Sequence, residues 1–524
     1  MRLVYLVPLL ATSALTGGAA LAAQTVERTD TPRQGALRVT FDPRIFTWDH
    51  QYTGAGLESL GAPLSGDTIG ARHIPLLAPL QQDVRTASGV PDFVASLGRG
   101  LMSVYLEKRV TPVTAELGVT KRLSLAVTLP IVRVATRAAL RLSQGSANLG
   151  PNPLATQGGA VQQYSSFFGQ FNTALTQLAD SVATGHYGCP GTSPQCMGAQ
   201  ALLARGAEVR DALQRAIYGA GGVESPFVPL ASSSAGVKID STVADIQQQL
   251  GTTYHVSGFT NAILLAADTL ASPADFNAFL QGAVGGNGAV FGWGYNGLRS
   301  SWHYGLGDLE VEAKYRVIAG SSYAAALGVL ARLPTGRRDT TLEVLEPSIA
   351  DHQLDFEGRV IQELTLAGRL WLNLAIRAGT QRPGTRARRV APLDAFLVPY
   401  EATTVLSWDP GDYAAVDFAP LYRFAPQFAA GVTAGYWTKR ADRYGYRSAQ
   451  DSITIATALG APTPASVLDQ GTSERWVRLG VALSYLGPTV EGGFTVEHTV
   501  SGAGGRVAAA TVYRLVLRVS RQIF

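Results

Sequence analysis

The feature that most constrains this chain is an alternation of side-chain character with a period of two residues. In the segment 309–317, LEVEAKYRV, every odd position is apolar and every even position is charged. Successive side chains of a β-strand point to opposite faces, so this segment is predicted to be a strand with one apolar and one charged face. The charged face must meet water, whereas the apolar face can meet either a protein core or lipid.

Similar segments recur along the chain in pairs that are joined by very short turns. Five tight turns are predicted at 120–122, 319–322, 366–369, 425–426 and 487–489. The strands that flank them are 113–119 and 123–131, 309–317 and 323–333, 356–364 and 370–378, 413–424 and 428–437, and 477–485 and 490–496. An opening strand at 36–48 and a closing strand at 508–524 bring the count to twelve, and both termini then lie on the side of the short turns.

Short turns at one edge and long loops at the other are typical of barrels that cross a bacterial outer membrane. Only 16% of the residues are charged, against about 25% in soluble domains. Closure also removes strand edges, whose unpaired backbone groups cannot be solvated by lipid. We therefore predict an all-β fold, an antiparallel transmembrane β-barrel of about 12 strands, with 14 possible, and a large, mainly helical extracellular insertion. A string of soluble β-sandwiches is the alternative.

The first residues have the pattern of a secretory signal peptide. Arg2 is followed by an apolar stretch, and small residues end at Ala22. In an oxidising compartment Cys189 and Cys196 are predicted to form a disulfide, and a metal site with His186 is the less favoured reading because a fourth ligand is lacking. The predicted localisation is the cell outer membrane, reached through the secretory pathway.

The predicted organisation has four parts. Residues 1–22 form the signal peptide, 23–142 contain strands 1–3 with a long first outer loop at about 53–100, 143–304 form the helical insertion on the outside, and 305–524 contain strands 4–12. A stripe of apolar residues at helical spacing, from Tyr164 to Val182, marks the insertion. Such helices can pack on one another as a cap, plug the barrel mouth, or hold an apolar ligand.

The alternation also predicts which charges line the lumen. The candidates are Glu310, Glu312, Lys314, Arg316, Glu357, Arg359, Glu363, Arg369, Arg377, Arg478, Arg514 and Arg518. Because both signs occur in similar numbers, we expect an interior held together by ion pairs, some of which line a solute path. The aromatic residues Trp48, Tyr105, Tyr304, Tyr436, Trp437 and Trp476 are predicted to form girdles at the membrane interfaces.

Two segments carry a resemblance to known proteins. The last strand, which ends at Phe524, resembles the terminal strand of Gram-negative outer-membrane proteins, whose final aromatic residue is read by the barrel-insertion machinery. The hairpin around 305–336 and the segment 116–125 resemble outer-membrane proteins of the phenol-degradation meta-pathway group and the related long-chain fatty-acid and aromatic-hydrocarbon transporters. This resemblance implies passive uptake of small hydrophobic molecules, with a possible exit sideways into the membrane. In contrast to the fatty-acid transporters, no N-terminal hatch is evident.

The functional prediction is a barrel for passive uptake of hydrophobic or small amphipathic solutes. The alternative is a structural or adhesive surface barrel that displays a helical cap without transport. An enzyme is not expected, because the seven histidines lie in unrelated contexts and no nucleophile or metalloprotease motif occurs. No cofactor and no metal are predicted. The expected partners are outer-membrane lipid and lipopolysaccharide, the insertion machinery and a small apolar solute, but not nucleic acid, because no basic block is present.

Overall fold

The computed structural model describes residues 27–219, 225–282, 293–338, 340–345, 347–391, 397–487 and 490–524. The predicted signal peptide lies outside the described residues. By its internal contacts the chain divides into two compact units. One comprises the residues up to Pro63 with Ser103–Ala139 and Leu298–Phe524, and the other comprises Leu64–Met102 with Leu140–Gly297.

Twelve strands form the barrel, and two of them are interrupted. They are β1 (Ala36–Phe41 and Arg44–Trp48), β2 (Arg99–Gly118), β3 (Leu123–Ser143), β4 (Ser301–Leu306 and Leu309–Ala319), β5 (Tyr323–Leu333), β6 (Asp355–Leu366), β7 (Leu370–Gln381), β8 (Tyr413–Ala425), β9 (Phe428–Lys439), β10 (Glu474–Leu486), β11 (Val490–Ala503) and β12 (Thr511–Gln522).

Each strand pairs with its neighbours in antiparallel fashion, and β1 closes the ring by pairing with both β2 and β12. Leu37, for example, lies opposite Leu117 of β2 and Arg521 of β12. A closed sheet satisfies all of its backbone hydrogen bonds within the wall, which is what lipid requires. The predicted fold class, an antiparallel barrel of twelve strands, is confirmed.

The short turns fall where the sequence places them. Strands β2 and β3 are joined through 119–122, β4 and β5 through 320–322, β6 and β7 through 367–369, and β8 and β9 through 426–427. The turn between β10 and β11 includes Gly487, while its residues 488 and 489 lie outside the described part of the chain. Strands β2 and β3 are much longer than predicted, at 20 and 21 residues, because their alternation continues beyond the apolar stretch.

The outer surface of the barrel is apolar. Outward side chains such as Leu327, Val329, Val432, Val481 and Leu515 are 42–62% exposed, although each belongs to a residue type that is normally buried. A continuous belt of this kind is solvated by the hydrocarbon of a bilayer, so the barrel spans a membrane. Closed antiparallel barrels of this type are found in outer membranes, which gives the location of the chain.

Among the described helices, none combines the length and the apolar character that a membrane crossing would need.

A second, smaller core lies in the loops between β7 and β10. The strands Gly384–Arg389, Thr403–Asp409 and Arg443–Gly445 form a three-stranded sheet. A helix, Ala449–Leu459, packs its Ile455 against Leu406 and Trp408 of this sheet. Further short strands lie at His50–Thr53, Gly56–Ser59 and Val507–Ala508, which pair with one another, and at Leu149–Pro151 and Phe227–Pro229.

The other unit is mainly helical. Its principal helices are α1 (Leu77–Ser88), α2 (Ala160–Ala183), α3 (Pro194–Tyr218), α4 (Ser234–Gln248) and α5 (Pro273–Gln281). The predicted apolar stripe of α2 is buried from Tyr164 to Leu178, and Phe171 stacks on Phe259 with ring centroids 4.5 Å apart. Within this unit the stripe therefore serves as core. Helix α5 starts with Ser272 as its cap and a proline at the first helical position.

The predicted disulfide between Cys189 and Cys196 is present. It closes a loop just before and within the first turn of α3, where Ser193 caps the helix by accepting a hydrogen bond from the backbone N–H of Cys196. Both cysteines are buried. No group of residues suited to hold a metal ion occurs in the described part of the chain.

The chain end departs from a simple continuation of the last strand. Strand β12 stops at Gln522, and the backbone N–H groups of Ile523 and Phe524 both donate to the carbonyl oxygen of Gly35, at 2.9 and 3.2 Å. The outward residues of β12, from Tyr513 to Val519, have odd numbers, whereas Phe524 has an even number. No register shift interrupts the pairing of β1 with β12, so this departure from the outward row arises after the strand and not within it. Its ring is 78% exposed. Recognition of Phe524 by the insertion machinery stays a prediction.

Candidate functional site

Charged side chains from the inward rows of the strands line the interior of the barrel. The predicted lumen residues that lie on these rows are Glu310, Glu312, Lys314, Arg316, Glu357, Arg359, Glu363, Arg377, Arg478, Arg514 and Arg518. Their placement follows from strand alternation alone, because every second residue of a strand must face the interior once the apolar row faces lipid.

Arg369 is the exception, and its prediction as a lumen residue is wrong. It lies in the turn between β6 and β7, where its side chain is exposed. The prediction counts Arg369 in the inward row of β7, but the strand begins only at Leu370. A turn residue is not bound by the period of two.

The middle of the bore is held by a buried network of ion pairs. Arg359 donates from Nε to Glu357 at 2.5 Å, and its Nη1 lies 3.3 Å from Glu312. The second oxygen of Glu357 accepts a hydrogen bond of 2.5 Å from the hydroxyl of Tyr413. Removing one member of such a buried pair costs about 3–5 kcal/mol, because the remaining charge is left without compensation. These residues therefore hold strands together, whatever else they do.

Two arginines face each other across the junction of β1 and β12. Arg44 lies directly opposite Arg514 in the register, an arrangement that destabilises a sheet unless a counter-charge is supplied. Asp42 supplies it. Its carboxylate accepts from Arg44 at 2.5 Å and from Arg514 at 2.7 and 2.8 Å. One acid thus serves two guanidinium groups.

Five more of the predicted lumen residues also have partners. Lys314 lies 3.1 Å from Glu116, Arg518 lies 3.8 Å from Glu491, Glu310 accepts from Arg332 at 3.2 Å, Arg377 pairs with Asp417, and Arg478 lies over the ring of Trp476 at 4.4 Å. The mixed signs and close pairing fit an interior held together by ion pairs.

A short N-terminal segment, residues 27–30, crosses the bore. Arg28 lies 3.7 Å from Glu363 of β6 and 2.7 Å from Glu491 of β11, which are strands on different sides of the ring. The hydroxyl of Thr29, which is fully buried, donates to Glu363 at 2.6 Å. The sequence gives no evident N-terminal hatch and does not indicate this segment. Its contacts are with residues hundreds of positions away, which no local pattern reveals.

The loop between β5 and β6 also enters the barrel. Lys108, on the inward row of β2, donates from Nζ to the carbonyl oxygen of Ser348 at 2.6 Å. Thr136, on the inward row of β3, donates to the carbonyl oxygen of Leu345 at 2.5 Å. Leu345 and Ile349 are buried. The loop thus narrows the bore with backbone carbonyls and apolar side chains.

The cavity of the barrel contains about 1290 Å³ of empty space, part of it open to solvent. Its lining has two kinds of surface. The apolar side chains come mainly from β2, β3 and the inward loop: Val110, Pro112, Ala126, Pro130, Val132, Ile349, Ala350 and Ile361. The charged side chains include Arg38, Asp42, Arg44, Lys108, Glu310, Glu312, Lys314, Arg332 and Arg514. A cavity in which apolar and charged side chains lie side by side suits a solute that is itself amphipathic.

The wall beside the apolar lining is interrupted at one level. Pro112 and Pro130 have no N–H to donate, and each lies two residues from Thr114 or Thr128, whose hydroxyl oxygens are 2.8 Å apart. On β4, Gly305 lies opposite Val132 and Glu310 opposite Thr128, so β4 has one extra residue, at the break 307–308. This bulge and the two prolines weaken the hydrogen bonding between β2, β3 and β4.

Three of the aromatic residues predicted to form girdles lie inside the barrel. Trp48, Trp437 and Trp476 are buried on inward rows, and the ring centroids of Trp437 and Tyr413 are 4.6 Å apart. The girdle prediction is wrong for these three. Tyr304 and Tyr436 lie on outward rows and are exposed, and Tyr105 faces outward as well. Tyr436 and Trp437 are adjacent in a strand and must therefore face opposite sides.

Comparison with known proteins gives structural similarity only. No protein-family model matches the chain, and no curated protein matches it. Among solved structures, an outer membrane channel of the COG4313 type from Pseudomonas putida F1 superimposes with a TM-score of 0.40 at 8% identity, covering 95% of this chain and 99% of that one.

Two toluene transporters are also similar. TodX of Pseudomonas putida gives a TM-score of 0.26 at 9% identity and covers 97% of this chain and 94% of that chain. TbuX of Ralstonia pickettii gives 0.27 at 8% identity and covers 93% and 88%. At these low values neither the function nor the solute of those proteins can be transferred to this chain. The assignment of a barrel follows from the strand pairing described above.

Proposed function

We propose that this chain is an outer-membrane channel for the passive uptake of hydrophobic or small amphipathic solutes. The observation that carries the proposal is the cavity, in which apolar and charged side chains lie side by side. Val110 is the strand neighbour of Arg44, and Ala126 is the strand neighbour of Glu312. An interior that only held the wall together would have no need of an apolar surface next to an open space. The similar toluene transporters are compatible with such a solute.

The proposal includes an orientation and an exit. The helical insertion 143–304 connects strand ends opposite the tight turns, and we place it outside the cell, as barrels of this class place their long loops. The segment 27–30 obstructs the straight path toward the turns. The interrupted wall at Pro112, Pro130 and the bulge of β4 then offers a sideways exit for an apolar solute, as the family resemblance implies.

The test is uptake into proteoliposomes that contain the purified full chain. Toluene and octanoate serve as apolar and amphipathic probes, and glucose serves as a polar one. We expect the protein to accelerate entry of at least one of the first two but not of glucose, with little ion current in planar bilayers. A protein that accelerates none of the probes and binds neither apolar probe would instead support the adhesive alternative.

A variant that fills the cavity links transport to the site. Ala126 is buried and lies on the cavity wall, so Ala126→Phe places a ring in the solute space. Transport of the favoured probe should fall several-fold. The matched control is Ala325→Phe, which adds the same ring on the lipid-facing row of β5 and should leave transport unchanged. Equal transport by both variants would exclude the cavity as the path.

A further inference from the structure

The outward charges of the barrel are concentrated on one side. On β3 the outward row is apolar from Leu125 to Ile131 and then carries Arg133, Arg137 and Arg141. Arg109 occupies the outward row of the neighbouring strand β2. The outward rows of the other described barrel strands carry only two charges, those of Arg475 on β10 and Arg521 on β12. Most of the outward basic residues therefore lie on β2 and β3, and those of β3 begin where its apolar row ends.

Two of the three arginines on β3 lie over an aromatic ring. The guanidinium carbon of Arg133 is 5.5 Å from the centroid of Trp302 on β4, and that of Arg137 is 5.5 Å from the centroid of Tyr105 on β2. Trp302 and Tyr304 stack with centroids 6.0 Å apart and are both more than half exposed. Tryptophan and tyrosine on a lipid-facing surface favour the level of the headgroups. The rings hold the guanidinium groups at that level.

The charges of these arginines are not neutralised by the protein. Within the described residues neither Arg133 nor Arg137 makes an ion pair, and both are exposed. The carboxylate nearby on the same face is that of Glu107, and it is already bound by Arg109 at a distance of 2.6 Å. The surface therefore carries a net positive charge and keeps free N–H donors. Inside the barrel, by contrast, arginines such as Arg359 and Arg514 lie beside carboxylates.

We propose that this surface, formed by Arg133, Arg137, Tyr105 and Trp302, binds the phosphate of a phosphorylated glycolipid of the outer leaflet, of the lipid A type. Guanidinium groups bind phosphate oxygens in a bidentate manner. The apolar row from Leu125 to Ile131 lies immediately below and accommodates acyl chains, which a free phosphate ion would not use. The commitment to a lipid follows from this continuity of charged, aromatic and apolar surface.

The experiment is native mass spectrometry of the full chain in detergent, titrated with lipid A, with enzymatically dephosphorylated lipid A and with inorganic phosphate. We expect retention of lipid A that is weakened about tenfold or more by removal of the phosphates, which corresponds to the loss of a charge-assisted contact. The variant Arg133→Gln/Arg137→Gln should show the same loss. Inorganic phosphate alone should not be retained.

The matched control is Arg475→Gln, which removes an outward arginine that lies over no aromatic ring in the described part of the chain. It should bind lipid A as the unmodified protein does. The proposal is overturned if the double variant and the control retain lipid A equally, or if dephosphorylated lipid A binds as well as lipid A. Because the second comparison uses the unmodified protein, it decides the question even if the double variant fails to fold.

Discussion

Among the polar side-chain groups that the helical unit buries is the hydroxyl of Tyr164, which has a hydrogen-bond partner. Tyr164 lies on α2 with no solvent exposure, and its hydroxyl donates to the carbonyl oxygen of Leu264 at 2.6 Å. Burial raises the pKa of Tyr164 above the ordinary range of a phenol. The hydrogen bond fixes the extended segment around Leu264 to the helix, and Tyr164 must stay protonated to make it.

Tyr164→Phe should destabilise the helical unit by about 1–2 kcal/mol at pH 8, because the buried carbonyl of Leu264 loses its donor. The folded state keeps the phenol proton, whereas the unfolded chain releases it above about pH 10, so the unmodified protein loses stability as the pH rises. The difference between the two proteins should therefore shrink by about 1.4 kcal/mol at pH 11. Urea unfolding followed by circular dichroism at both pH values measures it.

The control is Phe171→Leu, a buried residue on the same face of α2. It keeps Tyr164, so its loss of stability should be equal at both pH values. If the deficit of Tyr164→Phe is also independent of pH, the phenol does not titrate differently in the folded and unfolded chains.

Residue type alone misleads where alternation decides. The sequence predicts Trp437 in a girdle because tryptophan is common there, although its neighbour Tyr436 already occupies the outward row. The sequence predicts Arg369 in the lumen, although it directly follows the turn at Ala367 and Gly368. Both of these residues have positive φ in the structure. The sequence does not predict Asp42 as a lumen residue, although it binds both Arg44 and Arg514. The available signal is an acid followed by proline inside an apolar strand, which is unusual.

At the level of elements, the hairpins could be predicted because their signals are local. Period-two alternation and a turn lie within about 20 residues of sequence, and the register follows from them. The segment 27–30 and the loop between β5 and β6 could not be predicted, because they depend on partners brought near only by closure of the ring. Arg28 and Glu491 are 463 positions apart.

The N-terminal segment gives a prediction of its own. Arg28→Gln/Thr29→Ala removes the ion pairs to Glu363 and Glu491 and the buried hydroxyl that anchors the segment. We expect the segment to leave the bore and the single-channel conductance to rise several-fold. The control is Arg33→Gln, since Arg33 lies outside the group of side chains that cross the bore and makes no ion pair in the described part of the chain. Unchanged conductance in the double variant would show that the segment is not the main obstruction.

At the scale of the whole molecule, the two units differ in what stabilises them. The barrel is held by closed strand pairing in lipid, where opening exposes backbone groups that cannot be solvated. The helical unit has a separate apolar core, built around α2, and a disulfide between Cys189 and Cys196. We therefore expect the units to unfold separately, since each has its own source of stability.

Cys189→Ser/Cys196→Ser tests this independence. The two cysteines are 7 positions apart, so the bond closes a short loop, and its loss should destabilise the helical unit by about 2 kcal/mol. Helical circular dichroism should then disappear at a lower temperature, while the barrel, followed by the gel shift between unboiled and boiled samples, should convert at the same temperature as before. Reduction of the unmodified protein with dithiothreitol should reproduce the effect and excludes one specific to serine. A parallel shift of both transitions would mean that the helical unit and the barrel form one cooperative structure, because loss of a bond confined to one unit would then lower the stability of both.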